Sequence, residues 1–255
     1  NFAVCYEAGK GDSRRMINTL QMVADSFAIN NRTILSFGLY RIDDKTLPVS
    51  VMCDRANMAL WKAKGNFKTP YCEYDEKMRQ KVLKEQKIIN AMEKAIQNKE
   101  FNLYLQPKYD MEKGTIVGAE ALVRWISHEN GFISPGDFIP VFENNGFVYE
   151  VDKFIWEESC RCLRKWLDEG LEVHPISVNV SRIDLYDPKL VDHLVGLREK
   201  YHLPADYLQL EITESAYTED PEQIIAITNK LREVGFLILM DDFGTGYSSL
   251  NMLKD

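Results

Sequence analysis

Four apolar runs in this chain each end on an oxygen-bearing side chain. "TIVGAE" delivers Glu120, "PISVN" delivers Asn179, "LQLE" delivers Glu211, and "LILMDD" delivers Asp241 and Asp242. A carboxylate inside a strand-like segment such as "GAEALVRW" must be paired, hydrogen-bonded or bound to a cation, or its burial costs several kcal/mol. One acid at a strand end is more often a helix cap or a loop acceptor than a ligand. Several brought together are different, since two like charges about 4 Å apart repel by ~4 kcal/mol at an effective dielectric of 20. Such a cluster needs a cation. Carboxylates and an amide, with no His or Cys among them, form a hard-oxygen donor set suited to Mg2+ or Mn2+.

Those side chains must be carried by strands. From residue 101 onward strand-like and helix-like stretches alternate, which predicts an α/β fold with a parallel sheet and right-handed crossovers. The strands are "FNLYLQP", "TIVGAEALVRW", "PISVNVS", "YLQLEIT" and "FLILMDD"; helices fall at about 137–145, 150–169, 187–201 and 221–234, the last opening on Asp220 and Pro221 and closing on Gly235. In a parallel α/β barrel the strand C-terminal ends converge on one mouth, where active sites are built.

Upstream, a helix is expected at roughly 12–29 and a strand around "TILSFGLYRI". A second helix falls in "DRANMALWKAKGN", with Asp54 as its cap, Ala56, Leu60 and Ala63 on one face and Gly65 at its end. A long charged helix in "DEKMRQKVLKEQKIINAMEKAIQNKE" would turn Val82, Ile88, Ile89, Met92 and Ile96 toward a core, which suits a connector. Two domains are therefore expected, at 1–80 and 81–255, with a linker helix at about 81–98.

A chain of 255 residues with 45% apolar and 27% charged residues can build real cores. Its net charge of −8 argues against a polymeric nucleic-acid partner, because phosphate contacts need clustered Lys and Arg. "GFLILM" falls far short of the ~18 apolar residues of a membrane span. The five cysteines lack paired CxxC spacing, and Cys160 and Cys162 would point to different helix faces, which favours a reducing compartment over disulfides or a thiolate metal site.

"LYLQP", "EALVRW", "SVNVS", "LEITE" and "DDFGTGYSS" follow in the order and approximate spacing of the EAL domain, which this chain resembles over about 155 residues. That bacterial family hydrolyses cyclic di-GMP. The resemblance implies a modified (β/α)8 TIM-like barrel and hydrolysis of one phosphodiester bond to linear pGpG with Mg2+ or Mn2+. It implies metal ligation by Glu120, Asn179, Glu211 and Asp241, with Asp242 serving a second metal or its water. Two metals can generate hydroxide and clamp the attacking and leaving oxygens. Gln106 and Arg124 match positions that contact the dinucleotide; Arg124 could equally partner a barrel carboxylate. "DDFGTGYSS", with Gly244 and Gly246, resembles the loop that couples the site to homodimerisation. Glu214 matches that loop's anchor, though it could simply cap the next segment. Phe138 and Pro140, in "FISPGDFIPVFENNGF", read as packing.

Residues 1–80 resemble the C-terminal part of a GGDEF domain, through "NFAVCYE" and "DRANMALWKAKGN…YCEYDE". Asn1 then stands where a cyclase needs a metal-binding carboxylate, which implies a degenerate, regulatory domain without cyclase activity. The fifth strand is followed only by a short stretch ending "NMLKD", whereas a barrel of this kind needs eight strands. The family's catalytic lysine and a later metal-binding glutamate are not in this sequence, and Lys254 comes too early to be that lysine. The expectation is a cytoplasmic cyclic di-GMP phosphodiesterase whose C-terminal strands are missing here, so that this chain alone should not turn over substrate; the parent can carry an N-terminal sensor or membrane region. The rival expectation is a non-catalytic cyclic di-GMP receptor or protein-interaction scaffold.

Overall fold

The structure is a computed structural model, and it describes residues 2–7, 13–27, 34–66, 69–214, 216 and 221–241. The chain divides into two compact units, Asn1–Gln86 and Lys87–Asp255. Among the described residues no helix is long and apolar enough to cross a membrane.

In the first unit, helix α1 (Ser13–Ser26) precedes a parallel pair of short strands, β1 (Phe37–Leu39) and β2 (Tyr71–Glu73), with α2 (Val49–Ala63) between them. The backbone of β1 lies hard against α2. A Cβ on Gly38 would stand 1.9 Å from the Ala56 carbonyl oxygen and 2.4 Å from the Leu60 nitrogen, so only glycine fits. Asp54 is not the cap expected of it. The helix starts earlier, with Pro48 at its N-cap at φ −57°, and Asp54 lies within it. Proline's fixed φ and missing N–H suit a helix start better than its interior. Gly65, at φ 84°, ends the helix as expected.

Helix α3 (Glu76–Gln97) leads from one unit into the next. Ile88 and Ala95 are buried in the second unit's core, with Met92 and Ile96 packed against it, but Val82 and Ile89 are exposed. The buried stripe is thus narrower than the five expected positions.

The second unit runs through β3 (Phe101–Tyr109), β4 (Ile116–Ser127), β5 (Gly131–Ile133), α4 (Pro135–Asn145), α5 (Val148–Asp168), β6 (Ile176–Asn179), α6 (Arg182–Leu185), α7 (Leu190–Lys200), β7 (Leu208–Thr213), α8 (Pro221–Glu233) and β8 (Leu237–Asp241). The strands form one sheet in the order β3-β4-β6-β7-β8, with β5 paired to β4. From β4 to β8 this path is parallel. The expectation of a wholly parallel sheet fails at its first strand, because β3 is antiparallel to β4. Only Asp110 to Thr115 joins them, and a parallel crossover needs about a dozen residues or more. A turn closes instead. Asp110 Oδ1 accepts from the amides of Glu112 and Lys113, and Gly114 takes φ 65°. The short β5 hairpin and helix α6 were not expected, and α7 starts three residues later than the predicted 187.

Side chains alternate across a sheet. Ile176, Val178, Leu208, Leu210 and Ile212 turn to one face, where they are almost wholly buried. Trp125 turns the same way and packs with Phe101, Phe138 and Phe142, their ring centroids 5.2–5.7 Å from its own. Phe138 is therefore packing, as expected, and Pro140 lies within α4. Cys160 joins this core, where burial pushes its thiol up to about 12. Among the described residues all the cysteines are free.

Candidate active site

The other face of the sheet is polar, and strand register sets its composition. Gln106 stands opposite Glu120, and Glu120 is level with Ser177 on β6. Asn179 is level with Glu211, and Thr213 with Asp241. By two-residue alternation these side chains, together with Lys108, Leu122 and Arg124, share one side of the sheet. Glu211 is buried; Glu120, Asn179, Asp241 and Arg124 are partly buried, and Gln106 is exposed. Glu120, Leu122, Arg124, Asn179, Thr213 and Asp241 of this face line a cavity of about 560 Å3, whose other walls include the apolar Phe138, Phe142 and Val151. Its volume is within the range of small-molecule sites, ~300–1,000 Å3.

The electrostatics show the crowding. Burial pushes the Glu120 carboxyl above its ordinary range, and the Glu211 charge pushes the same way. A hydrogen bond with the Asn179 side chain lowers it, Asp241 raises it, and Lys108 lowers it. Lys108 was not anticipated. Its Nζ is ion-paired with Glu211 Oε1 and donates to Ser177 Oγ at 2.7 Å, while Ser177 Oγ donates to the Ala119 carbonyl at 3.2 Å. The signal was there: Lys108 lies two residues beyond Gln106, on the same side of an extended strand.

Arg124 donates from Nη1 to the Val123 carbonyl at 2.9 Å, with its guanidinium 5.9 Å from the Tyr104 ring centroid. Among the described residues no ion pair joins it to a carboxylate, and both roles stay open. Glu214 follows β7 directly and is buried. Asn1, Asp242, the "DDFGTGYSS" loop beyond Asp241 with Gly244 and Gly246, and Lys254 lie outside the described residues.

The donor set, carboxylates and one amide, fits a hard divalent cation. Among the described residues, however, no three His, Cys, Asp or Glu side chains close into a metal-binding group. The positive charge at Glu211 is the Lys108 ammonium.

Two further features support the strand that carries Asn179. The fully buried Trp156 donates from Nε1 to the Asn179 backbone carbonyl at 2.9 Å. Just beyond, Ser181 caps α6 in a capping box: Asp184 Oδ2 accepts from the Ser181 amide at 2.6 Å, and Ser181 Oγ accepts from the Asp184 amide at 3.3 Å. Asp184 is wholly buried, and its Oδ1 meets no N–H donor. The Asp152 carboxyl on α5 is raised well above the carboxylate range, by burial first and then by the Asp184 charge.

The EAL domain model matches residues 89–255. MucR of Pseudomonas aeruginosa, described as a bifunctional diguanylate cyclase/cyclic di-GMP phosphodiesterase, is 33% identical over 199 residues, which are 78% of this chain and 29% of MucR. The cyclic di-GMP phosphodiesterase PdeR of Escherichia coli is 30% identical over 198 residues, 78% of this chain and 30% of PdeR. The chain thus spans under a third of the length of these relatives. A solved structure of the MucR phosphodiesterase in complex with c-di-GMP superposes with a TM-score of 0.63 at 35% identity, covering 66% of this chain and 68% of that one.

Proposed function

Because the chain belongs to the EAL domain family, whose fold is TIM-barrel-like, we propose that the natural protein, through the domain to which the second unit belongs, binds cyclic di-GMP and hydrolyses one phosphodiester bond to give linear pGpG. The observation that carries this reading is the shared face on which strand register lines up Gln106, Glu120, Asn179, Glu211 and Asp241, three of which, Glu120, Asn179 and Asp241, line one cavity.

In this reading Glu120, Asn179, Glu211 and Asp241, joined by Asp242, hold Mg2+ or Mn2+. When bound, such ions polarise a phosphoryl oxygen and lower the pKa of coordinated water. Arg124 offers a planar fork to a phosphate; its guanidinium is tethered at Val123 and Tyr104, so little side-chain freedom is lost on binding. Gln106, exposed and opposite Glu120, offers an amide to the ligand beside the acids. Glu214 anchors the loop that follows Asp241, and through that loop the domain forms a homodimer. The first unit is the remaining part of a degenerate GGDEF domain and regulates the second.

A non-catalytic cyclic di-GMP receptor is the second reading, and one observation favours it: Glu211 is engaged by Lys108 and no metal-binding group closes among the described residues. One experiment separates the two. The natural protein carrying this sequence is incubated with cyclic di-GMP and Mn2+, with and without chelator, and products are resolved chromatographically. Metal-dependent pGpG release that is abolished by Glu120→Gln is the expected result. Saturable binding of cyclic di-GMP with no pGpG at any metal concentration would overturn it in favour of the receptor.

A further inference from the structure

Lys108 stands among the acids on the polar face of the sheet. It reaches that position from β3, the antiparallel first strand, because Lys108 alternates in step with Gln106 and pairs in register with Gly118, which has no side chain to obstruct it. Two of its three N–H donors have partners, Glu211 Oε1 and Ser177 Oγ. Its charge also reaches Glu120. Ser177 is itself buried and fixed by its bond to the Ala119 carbonyl, so it holds the ammonium at a defined place.

A buried carboxylate such as Glu211 stays ionised only if a counter-charge or hydrogen-bond donors offset its desolvation. With a divalent cation that need is met by the metal; without one it is met by Lys108. An ammonium and a metal cannot both occupy the same lone pairs of Oε1. We propose that Lys108 is a tethered internal cation that neutralises Glu211 in the metal-free protein and is displaced from it when Mg2+ or Mn2+ binds. This rests on the metal-dependent reading above and adds a residue which that reading does not use. The tether sets a threshold: Glu211 stays paired without metal, and the site takes up metal only when its concentration outcompetes the ammonium.

The test measures metal binding and needs no turnover. Mn2+ affinity is determined by calorimetry for the natural protein and for Lys108→Met, which keeps the length of the stem but not the charge. Lys108→Met should bind Mn2+ roughly tenfold or more tightly, the scale of one charge-assisted hydrogen bond, while melting at a lower temperature without metal. Ser177→Ala, which removes the anchor but no charge, should shift affinity the same way by less. In the unmutated protein the 15Nζ resonance of Lys108 should move as Mg2+ is titrated in, saturating with the metal; this arm decides the matter if Lys108→Met does not fold. Wild type that binds metal while Lys108→Met binds it equally or more weakly overturns the inference alone, as does a Lys108 resonance unmoved at saturating Mg2+. Binding by Lys108→Met but not by wild type supports it. No Mn2+ binding by either protein overturns the metal-dependent reading, and this inference with it.

Discussion

The carboxyl pair Asp152–Asp184 makes a prediction whose sign is opposite to that of a salt-bridged acid. Burial raises both groups, and the Asp184 charge raises Asp152 further, whereas Asp152 lowers Asp184; the folded protein therefore keeps a proton on Asp152 at pH values where the unfolded chain has released it, near the ordinary Asp value of ~3.9. Between that value and the raised folded value, stability therefore falls as pH rises. Above the folded value both states are ionised, the repulsion is felt in full, and the loss levels off. One proton gives a slope of at most about 1.4 kcal/mol per pH unit within that window. Asp152→Asn replaces the carboxyl with an amide that cannot ionise. His193 works the other way, since burial holds its imidazole below the usual range and its contribution grows as pH rises. The observable is therefore a difference: unfolding free energy of wild type minus that of Asp152→Asn, from urea titrations at pH 5 to 8.5. Asp184, Glu143, Asp187 and Lys153 are common to both proteins and largely cancel. The difference should move against the wild type with rising pH and then flatten. Parallel curves, or a difference that moves toward the wild type, would refute a proton held on Asp152.

Three further outcomes follow from particular contacts. Trp156→Phe removes the donor to the Asn179 carbonyl, which should cost about 1–3 kcal/mol; at ~2–4 °C per kcal/mol for a domain of this size, melting should fall by several degrees, and Mn2+ affinity should fall with it if Asn179 is a ligand. Arg124→Lys keeps the charge but loses the fork, and on the proposed function it should raise KM for cyclic di-GMP with little change in melting temperature, because the guanidinium has no carboxylate partner among the described residues. Gly38→Ala would drive a Cβ into the α2 backbone, so amide hydrogen exchange in β1 and β2 should accelerate greatly while exchange in β6 and β7 stays unchanged.

The site was more legible in the sequence than its surroundings were, and the reason lies in where strands bury their side chains. Strands covered on both sides read as nearly continuous apolar runs. Against "TIVGA", "PISV" and "LILM" a lone Glu, Asn or Asp stands out, and its recurrence at or near the ends of successive strands points Glu120, Asn179, Glu211 and Asp241 to one mouth; that they share a face follows only from the strand register. Chain direction is not encoded in that pattern. It is encoded in loop length, and the six residues from Asp110 to Thr115 already rule out a parallel crossover, a constraint that regular strand-helix alternation obscured.

Asp152 and Asp184 were hidden for a different reason. On a helix, or at its start, an acid is the ordinary occupant of a solvated position: Asp152 lies early in α5, and Asp184 is the N3 member of a capping box. Nothing in either local pattern says that the two helices bring them together, because that contact depends on how α5 and α6 pack beside β6. Lys108 falls between the two cases. Its parity with Gln106 was readable, but a lysine near a strand end is normally taken to be solvated, and only the antiparallel pairing of β3 turns its ammonium toward Glu211. A polar residue is thus betrayed by sequence when its neighbours are apolar, and concealed when its neighbours give it an ordinary surface role. The charges that balance this cluster of acids belong to the second kind.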